Sequence, residues 1–188
     1  MAKLILIKHA SPQIEPGVPS HEWKLAAAGR EKAAVLAERL RPHAPAVVFT
    51  SEEPKAIETA QIVAQALEVP HEVAPDLHEH DRSNVPQMPT REFISSIAMF
   101  FKHPTELVLG LETAEQARRR VSVAIDRILA NNETRDVAVV THGTVLALYL
   151  ATLLEGDPFD LWRRLGLPSY VVLDAESMEA VETVERVE

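Results

Sequence analysis

The chain reads as an α/β protein, a three-layer α/β/α sandwich on a mostly parallel mixed sheet. Three observations predict this. Two runs far apart in the chain, Leu4-Ile5-Leu6-Ile7 and Val137-Ala138-Val139-Val140, are apolar at every position. A parallel strand buried on both faces looks like this. Segments with apolar residues at helical spacing lie between and after them. Strand and helix patterns alternate along most of the 188 residues, which implies helices on both faces of a sheet.

The elements follow in order. Lys3–Lys8 is the first strand. Residues 10–25 hold Pro12, Pro16 and Pro19 and read as a loop crossing the mouth of a site. A helix is expected over Ala27–Arg41, with Ala33, Leu36, Ala37 and Leu40 on one face, ended by Pro42 and Pro45. Ala46–Thr50 is the second strand. Glu52 and Glu53 suit the first turn of the next helix, where negative charge is favoured, and Pro54 is tolerated there. Its inward face is Ala56, Thr59, Ala60, Val63 and Leu67. His71–Ala74 is a short strand. Residues 75–89, with Pro75, Pro86 and Pro89, have no period and read as a long functional loop, the start of a cap of about 75–112. Helices then cover Thr90–Phe101 and Thr113–Asn131, the second opened by a Thr113/Gln116 capping box. Asp136–Thr141 is the central strand and Gly143–Leu154 a buried apolar helix. Ser169–Asp174 and Glu179–Val184 form a closing hairpin around Ala175–Met178, which makes the sheet mixed. No linker or repeat divides residues 1–188, so one domain is expected.

Composition limits function. The hydrophobic share of 46% and the charged share of 25% are those of a soluble globular chain. No apolar run approaches the ~20 residues that span a bilayer, and Met1-Ala2-Lys3 leads straight into a strand with no signal segment. A cytoplasmic setting without a membrane partner is the expectation. There are no cysteines, which removes disulfides, thiolate catalysis and cysteine-based zinc sites. A net charge of −9 argues against nucleic-acid binding. An anionic ligand would need a local positive pocket. The glutamates of the tail (Glu176, Glu179, Glu182, Glu185, Glu188) read as a solvated face. Oligomeric state is not legible.

The first and central strands each end on a histidine, His9 and His142. In an α/β sheet that places both at the carboxyl edge, where such folds bind ligands. Paired imidazoles there permit attack by one and charge stabilisation by the other.

The flanking residues resemble a known family. Lys8-His9-Ala10 is similar to the Arg-His-Gly signature of the histidine phosphatase superfamily, the phosphoglycerate mutase-like proteins. Trp23-Lys24-Leu25 with Gly29-Arg30, then Ser51-x-x-x-Lys55-Ala56-x-x-Thr59-Ala60, Leu77-x-Glu79, Gly110-x-Glu112-Thr113 and Thr141-His142-Gly143 resemble further motifs in the family's order, over residues 3–155. The resemblance implies a phosphatase acting on a small phosphomonoester. His9 would be the nucleophile that becomes phosphohistidine, and Glu79 the proton donor and later base. His142 and the Gly143 backbone would bind the phosphoryl oxygens together with Lys8 and Lys55. The scheme requires no metal and no cofactor. The chain departs from the family pattern in carrying Lys8 and Lys55 for arginines, Ala10 for glycine, Glu58 for glutamine and Ser83 for glycine. Lysine keeps the charge of arginine but loses its planar fork. Arg82 or Arg91 could supply it. Two alternatives stand beside the phosphatase: a catalytically weakened phospholigand binder of the same fold, and a phosphomutase. A rival motif, His78-Glu79-His80-Asp81, has the spacing of metal ligands. Trp23, Met88, Phe93 and Phe100 are candidate apolar walls of the pocket.

Overall fold

The computed structural model describes residues 2–188. Six strands form one mixed sheet in the order β3-β2-β4-β1-β5-β6. They are β1 (Lys3–Lys8), β2 (Val47–Thr50), β3 (His71–Val73), β4 (Val137–Thr141), β5 (Ser169–Asp174) and β6 (Ala180–Val184). The first four run parallel, and β5 and β6 are antiparallel additions beyond β1. The helices are α1 (Ala27–Leu40), α2 (Pro54–Leu67), α3 (Thr90–Lys102), α4 (Ala114–Ala130), α5 (Gly143–Leu153) and α6 (Pro158–Arg164).

The two faces of the sheet are legible residue by residue. Leu4, Leu6, Val137, Val139, Val171 and Leu173 pack against α3, α4, α5 and α6. Their neighbours Ile5, Ile7, Ala138, Val140 and Val172 pack against α1 and α2. Alternate strand residues point to opposite faces, so an uninterrupted apolar run fills two cores. This is the three-layer sandwich expected from the sequence.

Element ends differ from expectation by a residue or two where capping decides them. α1 stops at Leu40 and passes into a 3₁₀ turn over Arg41–His43. α6 was not expected. Its signal was present, since the Asp157 side chain accepts from Asp160 N at 2.8 Å and Pro158 opens the helix, the usual N-cap and N1 chemistry. The Thr113/Gln116 capping box forms on α4. Residues 10–25 bridge back on themselves at Pro12 and Leu25 and contain a short 3₁₀ turn at Ser20–Glu22. The start of α1 lies so close to this loop that a Cβ on Gly29 would stand 2.1 Å from Ser11 O. Only glycine permits that contact. Glu58, which replaces the usual glutamine, fastens the same junction by an ion pair to Arg30 at 2.6 Å. Among the described residues no helix is long and apolar enough to cross a membrane.

Candidate active site

β2, β4 and β1 are adjacent and parallel, so their carboxyl ends share one edge of the sheet. His9 follows β1, His142 follows β4 as the N-cap of α5, and Ser51 follows β2. The register that pairs Lys8 with Thr141 sets the two histidines level. Their ring centroids are 5.1 Å apart at 59°, and both are buried. The sequence expectation that two distant imidazoles converge is met.

Each ring is oriented by a neighbour. His9 Nδ1 lies 2.7 Å from Ala10 O. A carbonyl only accepts, so Nδ1 carries the hydrogen and Nε2 the lone pair. Burial, then the neighbouring His142 and Lys55, push the His9 pKa well below the usual histidine range, which keeps the ring neutral. His142 Nε2 lies 2.6 Å from Ser51 Oγ, and that oxygen accepts from Glu53 N at 3.3 Å. With the hydroxyl hydrogen directed at Nε2, the imidazole hydrogen falls on Nδ1, a buried atom with no partner among the described residues. Burial and Lys55 also hold His142 well below its ordinary pKa.

Three cations surround the pair. Lys8 Nζ donates to Leu165 O at 2.7 Å, and its stem crosses the first turn of α5. A Cβ on Gly143 would stand 2.8 Å from Lys8 Cε, so this glycine is needed for close passage rather than for a turn. Burial lowers the Lys8 pKa to about 8, against the opposing pull of the Glu79 carboxylate. Lys55, buried on α2, donates to Ser20 O at 2.7 Å and pairs with Glu53. Arg82 lies over the Phe93 ring at 5.0 Å and 3.9 Å from Glu79 Oε2. Its Nη1 is buried without a partner among the described residues. Arg82 is thus the one of the two suggested compensating arginines that reaches the site. Arg91 is exposed on α3.

Glu79 arrives from the loop after β3. Its carboxylate accepts from Thr144 N at 3.1 Å and Val145 N at 3.3 Å, and so occupies the N-terminus of α5. That end favours anions, and the sequence reading had assigned it to phosphate through Gly143. Burial pushes the Glu79 pKa up. Arg82, His142 and the amides of Thr144 and His80 outweigh that and hold it well below the usual carboxylate range. The loop itself is clamped from behind. Arg120 on α4 donates to Asp76 O at 2.9 Å, His78 O at 3.0 Å and Glu79 O at 3.3 Å. It is held in turn by Glu112 at 2.5 Å, whose carboxylate also accepts from Asp81 N. Sequence reading placed Glu112 in a motif without a role and did not single out Arg120.

A cavity of about 330 Å³ lies beside this centre, lined by Ser20, His21, Glu52, Glu53 and residues 78–83; it reaches Glu53, Glu79 and Arg82, while His9, His142, Lys8 and Lys55 are not among its lining residues. Of the segments expected to wall the pocket, 10–25 contributes Ser20 and His21, and 75–101 contributes residues 78–83. The four apolar candidates do not wall it. Phe100 stacks on His80 in the core, Phe93 lies beneath Arg82, and Trp23 is tied to Val18 O. Neither these three nor Met88 lines the cavity, because apolar rings are drawn to the core and leave the opening polar. The His78-to-Asp81 motif does not converge on one point. His78 Nδ1 bonds Glu79 O, while His80 Nε2 bonds Glu112 O.

Glu53 is the largest surprise. It was expected in the first turn of α2. It stands instead as the N-cap, with extended backbone and a side chain that accepts from no backbone N–H of its own helix. The cause is Pro54, which disfavours a helical conformation at the residue before it. The side chain thereby reaches Lys55 and the backbone N–H of Glu79 in the site. Glu-Pro-Lys at this point was the available signal.

Comparison with known proteins gives the family. The chain is similar to an uncharacterized phosphatase, PhoE, of Bacillus subtilis (strain 168), at 24% identity over 134 residues, 71% of this chain and 66% of that protein. It is similar to a metal-independent phosphoserine phosphatase of Arabidopsis thaliana at 27% identity over 165 residues, 80% of this chain and 68% of that one. The matched stretch thus spans about two thirds of each relative's own length. Among solved structures, YhfR of Bacillus stearothermophilus superposes with a TM-score of 0.78 at 23% identity, covering 98% of this chain and 96% of that one. The histidine phosphatase superfamily (branch 1) matches residues 4–185, and the chain belongs to that family.

Proposed function

We propose that this protein is a phosphatase that hydrolyses a small phosphomonoester through a phosphohistidine on His9, without a metal or other cofactor. One observation carries the reading. A buried, neutral imidazole has its Nδ1 hydrogen engaged and its Nε2 lone pair free, with a second imidazole 5.1 Å away. Phosphoryl transfer asks little covalent chemistry of a protein beyond position and charge, and this pair supplies a nucleophile and a donor in one place. The metal-independent phosphoserine phosphatase among the relatives makes an amino-acid phosphate a reasonable first substrate.

The steps balance as follows. His9 Nε2 attacks phosphorus and the ester P–O bond breaks. His142 Nδ1, Lys8, Lys55 and Arg82 meet the oxygens on which charge gathers. A phosphoryl group beside Arg82 and His142 takes over partners that hold Glu79 ionised, which raises the proton affinity of that carboxyl. Glu79 takes up a proton from solvent as the substrate seats and gives it to the leaving oxygen as the ester P–O bond breaks. In the second step its carboxylate takes a proton from water, whose oxygen attacks the phosphohistidine, and inorganic phosphate leaves.

A second reading has its own observation. The Glu53–Lys55 pair neutralises one of the cations, which leaves less positive charge for the transition state and favours a phospholigand-binding member of the fold with little turnover. The two separate on an aryl phosphate. A phosphatase turns it over and His9→Ala stops it, a loss of at least ~10³-fold. A binder takes up vanadate or phosphate and releases no phenol.

A further inference from the structure

The Glu53 carboxylate is only 6% exposed and is placed among the groups that phosphoryl transfer would use. It pairs with Lys55, whose side chain is equally buried. Its Oε1 accepts from Glu79 N at 2.8 Å and lies 3.5 Å from His142 Nε2. A cation and a backbone N–H are partners of the kind that a phosphoryl oxygen seeks. Glu53 therefore makes, from within the chain, contacts of the kind that substrate would make. Its side chain accepts from no backbone N–H of its own helix, and Glu53 is among the residues that line the cavity, so its carboxylate serves the site rather than the end of α2.

Charge leads to the same point. Lys8, Lys55 and Arg82 face Glu53 and Glu79, with both histidines held neutral. A bound phosphate dianion must then either draw Lys55 away from Glu53 or lie beside an uncompensated carboxylate. Both cost binding, and in a buried site neither is screened by salt. An ester is expected to offset that cost with contacts from its organic part to Ser20, His21 and His78, which line the cavity. Free phosphate has no organic part.

We infer that Glu53 is a specificity-determining residue whose carboxylate competes with the phosphoryl group for Lys55. The site is thereby biased toward phosphomonoesters with a contacting organic group and against free phosphate and similar small oxyanions. It follows that the enzyme releases its own product easily. The inference rests on the phosphatase reading of the site.

The test is direct binding of inorganic phosphate by calorimetry to the wild-type protein and to Glu53→Gln, which keeps the shape and removes the charge. Glu53→Gln is expected to bind phosphate at least ~10-fold more tightly. Inhibition of wild-type aryl-phosphate turnover by phosphate is a second measurement that needs no variant. The inhibition constant is expected to exceed the KM for the ester by ~10-fold or more. Equal or weaker phosphate binding by a folded Glu53→Gln overturns the inference, as does wild-type inhibition at concentrations near KM. In either case turnover that persists leaves the phosphatase reading intact. Absence of both phosphate binding and turnover in wild type and variant removes the phosphoryl site, and the inference with it.

Discussion

The two halves of the site are held by different means. His9 and His142 stand on the ends of adjacent strands, and the ladder that pairs Lys8 with Thr141 sets their separation. Glu79 and Arg82 stand on a loop without regular structure, positioned by the Arg120 fork and by the N–H groups of Thr144 and Val145. Slipping a strand in a buried sheet turns its apolar set to the wrong face, so the nucleophile pair is fixed as firmly as the core. The proton-transfer half depends on a few side-chain hydrogen bonds, each worth ~0.5–1.5 kcal/mol, or ~1.5–3 where a charge takes part. The difference teaches that the acid can be displaced without disturbing the nucleophile.

The largest effect expected from that contrast is on Arg120. Arg120→Met leaves three loop carbonyls and the Glu112 carboxylate without their partner. Glu79 then shifts while His9 does not. Turnover of an alkyl phosphate, whose leaving oxygen needs a proton, is expected to fall ~10²-fold. A nitrophenyl phosphate, whose leaving group departs as the anion, is expected to lose far less. Steady-state kinetics on the two substrates checks this. An equal loss on both would place Arg120 under the whole site and break the comparison.

A smaller effect sharpens it from the strand side. Lys8 is protonated below a pKa of about 8 and neutral above it. The cation that helps hold the phosphoryl group is therefore lost as pH rises through that value. kcat/KM reports the free enzyme, so it is expected to fall above pH ~8. Lys8→Arg, whose guanidinium stays charged, is expected to remove that alkaline limb. Activity near pH 7 should change by less than ~10-fold, since the charge is kept. A limb that survives Lys8→Arg unchanged would assign it to another group. Because burial holds His9 and His142 well below the ordinary histidine pKa, neither produces a limb near pH 6.5.

The same contrast explains what could be read in the sequence. β1, β4 and the histidines that end them were legible because a strand buried on both faces has no polar positions, and a polar residue at its end stands out. α4 was legible from its period and its capping box. The segments 10–25 and 75–89 could be recognised as walls of a site but not given a shape, since irregular backbone has no period to read. Arg120 was hidden because, Glu112 apart, its partners are three backbone carbonyls, which leave no mark in the sequence. Glu53 was misplaced by one conformational rule: acids suit a first helical turn, yet Pro54 forces the residue before it to be extended. The apolar candidates failed for a simpler reason. Phe100 fills the core rather than the pocket, as most buried aromatics do.

The central claim is that His9 takes the phosphoryl group. It is tested most directly by mixing the protein with a phosphate-labelled ester, quenching within the turnover time, and mapping the label on the denatured chain. A base-stable, acid-labile label on His9 in the wild type, absent from His9→Ala, is the expected result. Turnover of the ester without label on the chain, or the same label in both proteins, would contradict it.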